Sequence, residues 1–398
     1  MAKNQTMFTT EDLQKVRQDT PSLSSRVHLD NCGSALMPGV VVNTMKSFLD
    51  CEASLGGYVA QEQQSRELKQ VYSSLASLLG GNTADYALTG GAVDAWSKAF
   101  YSVSLAPGDN IVTMYNEYCS NYVACLQRAK RDGVEVRVAR ADPNRGVDLD
   151  HLFELVDEKT KIVSVTHVAS SSGQVADLAS IGPIAKRYGA FYLLDACQSV
   201  GQLPVNFVDI GCDAATATSR KFLRGPRGIG FLYISETARR SLEPAMLTNQ
   251  SAAWVADHKY ELVEDATMFE MWERSCLNQI GFGAALDYLL KRGPEKMMKQ
   301  TQHMAAELRA AIYGIQGIEP ACHADATSAI ITFNKNGWKA ADVRDAMSKQ
   351  GIAVQVSSVF HTRLDLGARG IDSAVRVSPH YYNSQQELDK FLNALDNL

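Results

Sequence analysis

The sequence lacks any uninterrupted apolar run near the roughly 20 residues that span a bilayer, and no signal-peptide segment follows Met1. We therefore expect a cytoplasmic protein that does not enter the membrane. The net charge is only −5 over 398 residues and shows no basic stripe, so no nucleic-acid partner is expected. Eight scattered cysteines form no C-x-x-C pair, which favours reduced thiols and disfavours a metal site.

Short apolar runs alternate with helical patterns through the first two thirds of the chain. The runs that predict strands are 86–89, 110–114, 134–138, 161–166, 191–194 and 230–234. Strands this apolar are buried on both faces, so the pattern predicts an α/β fold with a mostly parallel sheet. In such sheets ligands bind beyond the carboxyl ends of the strands.

The pattern changes beyond about residue 255, where long helices and three strand-like runs predict a smaller α+β domain. We therefore expect three parts: an N-terminal arm at 1–45 that packs with the small domain, a large domain at 46–255 and a small C-terminal domain at 256–398.

Two charged residues have a joint chemical interpretation. Asp195 follows the apolar run 191–194, and Lys221 comes 26 positions later, just before the glycine-rich segment 225–230. A lysine can hold an aldehyde cofactor as an imine, and an aspartate can keep the cofactor's ring nitrogen protonated. Alone, such a lysine is usually a surface residue and such an aspartate a helix cap. Their pairing favours pyridoxal phosphate (PLP).

Phosphate binding needs free amides at a helix start, together with hydroxyls and cations. The segment Thr89-Gly90-Gly91 leads from a strand into a helix and supplies such amides, although a glycine pair alone is more often a plain turn. Thr218 and Arg220, just before Lys221, would add a hydroxyl and a positive charge.

Three further residues have both a functional and a structural interpretation. Gln198 could donate to the cofactor's ring oxygen, or cap a helix together with Asp195. Tyr118 could stack on the ring, or simply begin a helix. Arg376, alone in an apolar strand, could bind a substrate carboxylate bidentately, or lie on an exposed strand.

Taken together, these motifs resemble the class V aminotransferase family, in the fold-type I group of PLP enzymes. The resemblance implies the fold-type I architecture: a large domain with a mostly parallel seven-stranded sheet and a smaller α+β C-terminal domain. The segments that carry it, in order, are Thr89–Gly91, Glu117-Tyr118, Asp195-Ala196-x-Gln198, Lys221 with Gly225-Pro226-x-Gly228-x-Gly230, and Arg376-Val377-Ser378.

The resemblance also implies residue roles. Lys221 would form the imine, Asp195 would meet the pyridine nitrogen and Gln198 the phenolic oxygen. The substrate would be derived from an amino acid, and the protein would be a homodimer with active sites at the interface. The remaining implied contacts are phosphate at the amides of Gly91, Ala92 and Val93 and the hydroxyl of Thr218, substrate at Asn31, and the substrate carboxylate at Arg376.

Several positions depart from the family pattern. Many relatives have histidines where Tyr118 and Arg220 stand, and hydroxyl residues where Ala92 and Val93 stand. The family's usual Gly-Thr, whose threonine contacts the neighbouring subunit's phosphate, reads here as Trp272-Glu273. Cysteine desulfurases of the family carry a mobile cysteine that takes the sulfur as a persulfide, and the corresponding loop 357–365 has none. A persulfide mechanism is therefore not expected.

Local spellings are similar to the branch of carbon–sulfur lyases that cleave hercynylcysteine sulfoxide. We therefore expect a β-lyase that converts a cysteine S-conjugate or its sulfoxide to a thiol or sulfenate, pyruvate and ammonia. Lys221 would remove the α-proton, and Tyr118 would protonate the sulfur. The alternatives are a class V aminotransferase or amino-acid epimerase, a cysteine desulfurase, and a non-catalytic PLP-fold scaffold.

Overall fold

The computed structural model describes residues 8–142, 146–323 and 326–398. Its helices are α1 (Thr10–Gln18), α2 (Asn31–Ser34), α3 (Gly39–Leu55), α4 (Gly57–Gln63), α5 (Ser65–Leu79), α6 (Ala92–Tyr101), α7 (Cys119–Asp132), α8 (Leu149–Leu155), α9 (Leu178–Ala185), α10 (Phe207–Ile210), α11 (Glu236–Arg239), α12 (Cys276–Arg292), α13 (Pro294–Tyr313), α14 (Ala340–Lys349) and α15 (Gln385–Asp396). None of these helices combines the length and hydropathy needed to cross a bilayer.

The strands of the large sheet are β2 (Tyr86–Thr89), β3 (Asn110–Met114), β4 (Glu135–Ala139), β7 (Thr160–Thr166), β8 (Phe191–Asp195), β9 (Ala214–Thr218) and β10 (Gly230–Ile234). The others are β1 (Val27–His28), β5 (Ala141–Asp142), β6 (Gly146–Val147), β11 (Ala252–Ala256), β12 (Lys259–Leu262), β13 (Ile318–Pro320), β14 (Ile331–Lys335), β15 (Ile352–Ala353), β16 (Gln355–Ser358) and β17 (Ser373–Val377).

The large sheet has seven strands in the order β2-β10-β9-β8-β7-β3-β4, and only β10 runs antiparallel to its neighbours. Every residue of β2, β3, β8, β9 and β10 is buried, as expected for a sheet covered on both faces. The predicted α/β, fold-type I architecture is confirmed.

The sequence pattern did not reveal β9, which lies beside β8 at the centre of the sheet. Its residues Ala214–Thr218 have small side chains, so they lack the apolar bulk that marks a strand in sequence. The small side chains suit their place, because α6 packs directly against β9.

The smaller antiparallel sheet, in the order β13-β14-β17-β16, shares an apolar core with α13, α14 and α15. The N-terminal arm joins this part, since β1 pairs with β15. Helix α12 instead packs on α3 and α5, and its Phe282 and Leu286 enter the core of the large sheet. The domain limits at 45 and 255 stay predictions.

The carboxyl ends of β7, β8 and β9 meet at one edge of the large sheet, at Thr166, Asp195 and Thr218. Strand β2 runs antiparallel to β10, and its end at Thr89 reaches the same edge. The fold thus brings the predicted site residues to the edge where ligands bind in open α/β sheets.

Candidate active site

A cavity of about 280 Å³ opens at this edge. It is lined by all the residues that the sequence predicts to bind the cofactor: Gly91, Ala92, Val93, Tyr118, Asp195, Gln198, Thr218, Arg220 and Lys221. A larger, more open groove of about 1650 Å³ contains none of them, so chemistry and not size identifies the site.

Asp195 ends β8 and is only 9 % exposed. Its Oδ1 accepts a hydrogen bond from the amide of Cys197 at 2.9 Å, and its Oδ2 accepts one from Asn121 Nδ2 at 3.2 Å. Burial raises the pKa of Asp195, and the charge on Glu117 raises it further. The carboxylate keeps acceptor capacity on the cavity side, which suits a protonated pyridine nitrogen.

Lys221 follows β9 in a tight turn. The amide of Arg224 donates to Lys221 O at 2.9 Å, and Arg224 has a left-handed backbone, at φ 60°, although it is not a glycine. Its buried guanidinium donates to Leu36 O at 2.8 Å, Tyr381 Oη at 2.9 Å and Thr20 Oγ1 at 2.6 Å. These bonds fix the turn and therefore the backbone from which Lys221 projects.

The side-chain nitrogen of Lys221 lies in the cavity beside a thiol. Lys221 Nζ is 3.3 Å from Cys197 Sγ, and both residues line the cavity together with Asp195. Burial raises the pKa of the Cys197 thiol, so this group stays protonated at neutral pH. One cavity therefore holds both the predicted imine-forming lysine and the predicted partner of the ring nitrogen.

The other end of the cavity is suited to phosphate. Helix α6 begins there with Gly91 as its N-cap. Because glycine has no side chain, the N-cap residue accepts no side-chain hydrogen bond from the amides of the first turn. Arg220 and Thr218 line the same cavity. A side chain at Gly230 would collide with Gly91, since its Cβ would lie 2.9 Å from Gly91 Cα, so glycine at 230 keeps the phosphate turn against the sheet.

Gln198 and Tyr118 complete the cavity wall. Gln198 Nε2 donates to Cys32 O at 3.2 Å, and Oε1 has no hydrogen-bond partner among the described residues. Tyr118 is half-buried, and burial raises the pKa of its phenol. Both side chains are placed to contact a ring held between Asp195 and Lys221.

The two predicted substrate residues lie outside the cavity lining. Asn31 is fully buried, with Nδ2 2.7 Å from Ser378 O and Oδ1 accepting from the Tyr382 hydroxyl. Arg376 donates to the backbone oxygen of Ser170, a cavity residue, at 3.2 Å and pairs with Asp30 at 3.5 Å. Arg376 therefore lies close to the cavity and Asn31 behind it; their substrate roles stay predictions.

Sequence reasoning gave no role to Glu117, Asn121 or Cys197. Glu117 is 2 % exposed and Asn121 1 %, although both are polar and lie at a strand-to-helix junction. A glutamate and an asparagine four residues apart across the start of a predicted helix were the available signal. Their burial depends on β3 and β7 lying side by side, which the local sequence does not specify.

The cavity fits PLP on the evidence of its own atoms. Two buried acceptors on its wall, Gln198 Oε1 and Asn116 Oδ1, have no partner in the part of the chain that the structure describes. PLP carries a ring hydroxyl, which supplies a donor of that kind. The helix start and Arg220 lie at the opposite end, where the sequence predicts the phosphate site.

The segment that bears the mobile cysteine in desulfurases is folded here as a short 3₁₀ turn, Val359–His361, and a π-helical turn, Arg363–Gly367. Thr362 Oγ1 lies 3.2 Å from Ser171 Oγ, next to the cavity residue Ser170. Asp365 Oδ1 accepts from Arg369 Nε at 2.8 Å and contacts His323 Nε2 at 3.3 Å. The segment 357–371 has no cysteine.

The fold and the cavity define a PLP-dependent enzyme of fold type I, and PLP is its cofactor. The chain belongs to the family Aminotransferase class-V, whose model matches residues 27–391.

One curated relative and two solved structures show which members of the family the chain is similar to. A protein of Methanothermobacter thermautotrophicus named "Probable cysteine desulfurase" is 31 % identical over 98 % of each chain. A crystal structure of a cysteine desulfurase from Escherichia coli has a TM-score of 0.89 at 21 % identity and covers 97 % of this chain and 98 % of that one. The protein C-DES, with glycine covalently linked to PLP, has a TM-score of 0.86 at 19 % identity, covering 96 % and 99 %.

These comparisons correct the expected activity. The prediction of a β-lyase for cysteine S-conjugates, of the hercynylcysteine sulfoxide type, is wrong: relatives matching nearly the whole chain are named cysteine desulfurases. The prediction depended on short sequence similarities and on the absence of a cysteine from the loop 357–365. Neither feature determines the shape of the substrate site. The desulfurase alternative is the better supported one.

Proposed function

We propose that this protein is a PLP-dependent cysteine desulfurase, which takes the sulfur from L-cysteine. The observation that carries the proposal is the cavity in which Lys221 and Asp195 face the same 280 Å³ space. Support comes from the 31 % identical relative, which aligns over 98 % of both chains.

When bound, PLP supplies an electron sink for charge that develops on the α-carbon of an amino acid. The chain's own residues supply the rest. Asp195 holds the proton of the ring nitrogen, and Lys221 Nζ accepts and returns the proton of the substrate α-carbon. Arg220, Thr218 and the first amides of α6 hold the phosphate.

Substrate recognition falls to the side of the cavity near the small domain. Arg376 lies against Ser170 and presents a guanidinium whose Nε has no partner among the described residues. We assign it the substrate carboxylate, which it can bind bidentately. This guanidinium already pairs with Asp30 at 3.5 Å, so its direction is fixed before substrate arrives.

The acceptor of the sulfur is assigned to a thiol from solution. No cysteine lies in the segment 357–371 beside the cavity. Cys197 is within the cavity, but burial raises the pKa of its thiol despite the opposing effect of Lys221, so it is a poor nucleophile. Turnover should therefore depend on an added thiol, which carries the sulfur away.

We also propose a homodimer, because the phosphate end carries exposed apolar side chains. Val93 is 44 % exposed and Trp272 52 %. Glu270, two residues before Trp272, accepts from the amide of Leu88 at 2.8 Å, which places the Trp272 segment beside the turn that binds phosphate. A second copy on this surface would cover these side chains and close the cavity.

Product analysis tests the activity. The protein reconstituted with PLP is incubated with L-cysteine, with and without dithiothreitol, and alanine, pyruvate and sulfide are quantified. We expect alanine equimolar with sulfide, and turnover that requires the thiol. Pyruvate in place of alanine would indicate elimination, and no product from L-cysteine would reject the proposal. The variant Lys221→Ala is the control for chemistry at this site.

A further inference from the structure

Behind Asp195, a second buried carboxylate receives an unusual number of donors. Glu117 Oε2 accepts from Thr113 Oγ1 at 2.8 Å and from Ser164 Oγ at 2.6 Å. Glu117 Oε1 accepts from Thr166 Oγ1 at 3.0 Å and from the amide of Tyr118 at 2.8 Å. These donors come from β3, β7 and the start of α7, so the carboxylate is held from several elements at once.

A single amide joins this carboxylate to Asp195. Asn121 Nδ2 donates to Glu117 Oε1 at 3.0 Å and to Asp195 Oδ2 at 3.2 Å. An amide nitrogen has two hydrogens, and these two acceptors use both. Asn121 is 1 % exposed, so water does not compete for these bonds.

We infer that Glu117 is a positioning residue for the cofactor: through Asn121 it fixes the orientation of Asp195, and its negative charge favours the proton that Asp195 shares with the ring nitrogen. Glu117 does not line the cavity and touches no substrate. The inference depends on the cofactor and not on the sulfur substrate, so it stands or fails separately from the proposed function.

The electrostatics agree with the geometry. Two negative charges bridged by one amide in a buried site repel each other, and Asp195 relieves the repulsion by sharing a proton with the pyridine nitrogen. Burial raises the pKa of Asp195 most, and Glu117 adds to that increase. Lys221 acts in the opposite direction, so the carboxylate stands between a positive group on the cavity side and a negative one behind it.

The variant Glu117→Gln tests the inference, because it removes the charge and keeps the shape. The hydroxyls of Thr113 and Ser164 can rotate to accept from the new amide, so the fold should persist. The holoenzyme is prepared with PLP labelled with ¹⁵N in the ring, and the ¹⁵N resonance is recorded without substrate. We expect it to move toward the position of unprotonated pyridine. Alanine formation should fall roughly 10-fold, the usual scale for a partner that orients a direct ligand.

Glu270→Gln is the matched control. Glu270 is as buried as Glu117, at 1 % exposed, and also accepts from a backbone amide, but it contacts Leu88 and Tyr72 and not Asp195. It should leave the ¹⁵N resonance in place. Asn121→Ala, which breaks the bridge and keeps both carboxylates, should move the resonance in the same direction as Glu117→Gln.

A wild-type ¹⁵N position in Glu117→Gln would overturn the inference, whatever the activity. So would an equal loss of thermal stability in the Glu117 and Glu270 variants with no difference in the ring signal, since that result defines a purely structural carboxylate. Failure of the proposed function would instead appear as absent alanine in the wild-type protein with a normal ring signal.

Discussion

The two ends of the cavity are built differently. At the end proposed to hold the pyridine ring, the pyridine end, Asp195, Asn121 and Glu117 are at most 9 % exposed and are joined by hydrogen bonds within one chain. At the end proposed to hold phosphate, the phosphate end, Val93 is 44 % exposed. Trp272 is 52 % exposed, and its segment is tied to this end because Glu270 accepts a hydrogen bond from the amide of Leu88. The pyridine end is complete in a single chain, whereas the phosphate end is open. Damage to the first should change chemistry, and damage to the second should change assembly and cofactor retention.

The largest effect should follow from Lys221→Ala. This change removes the group that we propose to bind the cofactor covalently and to move the α-proton, so alanine formation should fall by at least about 10³-fold. Activity is measured with saturating PLP, and the reducibility of the cofactor by borohydride reports the lost covalent link. Lys186→Ala, at a surface lysine paired with Asp213, is the control and should keep full activity. If the activity of Lys221→Ala stayed within tenfold of wild type, the proposed catalytic role of Lys221 would be wrong.

Much of the pyridine end was predictable because its key residues are local in sequence. Asp195 ends an apolar run, and Lys221 precedes a glycine-rich turn, so strand and turn patterns locate both. Glu117 was given no role because its donors Thr113, Ser164 and Thr166 come from two strands that only the sheet brings together. Long-range pairing of this kind leaves no local signal.

The open end was harder to predict, for a different reason. The sequence shows Trp272-Glu273 where the family usually has Gly-Thr. The consequence of this difference depends on how two chains pack against each other, which the sequence does not specify. The sequence pattern also missed β9, whose small residues are explained by the packing of α6 and not by strand propensity. The activity itself was mispredicted because local spellings around Tyr118 and Trp272 do not define the substrate.

Trp272→Asp should separate the two ends most clearly. A charge in place of the exposed indole, on the surface proposed as the dimer interface, should weaken the dimer by about 2 kcal/mol, or roughly 30-fold in dissociation constant. PLP should dissociate faster, while the ring signal of the PLP that remains is unchanged. Sedimentation velocity gives the dimer constant, and dialysis gives PLP retention.

The control for Trp272→Asp is Trp338→Asp, at an indole of the small domain that is 38 % exposed and donates to Leu398 O. It should leave the oligomeric state unchanged. If Trp272→Asp stays dimeric with normal PLP retention, the phosphate end is closed by some other surface, and the contrast between the two ends is lost.

Acid should act on the buried end through His167, whose amide donates to Asp195 O at 3.0 Å. Burial lowers the pKa of His167 to about 4. The unfolded chain binds this proton near pH 6.5 and the folded chain does not, so the stabilisation is complete above pH 6.5 and is lost as pH falls toward 4. Between pH 6.5 and 5 the loss is roughly 1 to 2 kcal/mol from this group.

His167→Gln should therefore flatten the fall in the urea midpoint between pH 6.5 and 5, whatever its effect at neutral pH. The exposed His303, on α13, provides the control His303→Gln, which should keep the wild-type slope. An unchanged slope in His167→Gln would show that other buried groups, such as His380, whose pKa burial also lowers, govern acid sensitivity.

The smallest effect should come from Tyr118→Phe, which tests what the aromatic wall of the cavity contributes. The ring remains to pack against the cofactor, and only the hydroxyl is lost, so PLP affinity should stay within about twofold and alanine formation should fall by less than about 10-fold. Tyr118→Ala should lose PLP affinity as well, and Tyr122→Phe, one turn later in α7 and outside the cavity lining, should match wild type.

Because burial raises the pKa of the Tyr118 phenol, the hydroxyl keeps its proton through the working pH range. The loss of activity in Tyr118→Phe should therefore not vary between pH 7 and 9. A loss that grows with pH would mean that the phenolate form of Tyr118 acts in turnover. That result would contradict the argument that burial keeps the Tyr118 hydroxyl protonated.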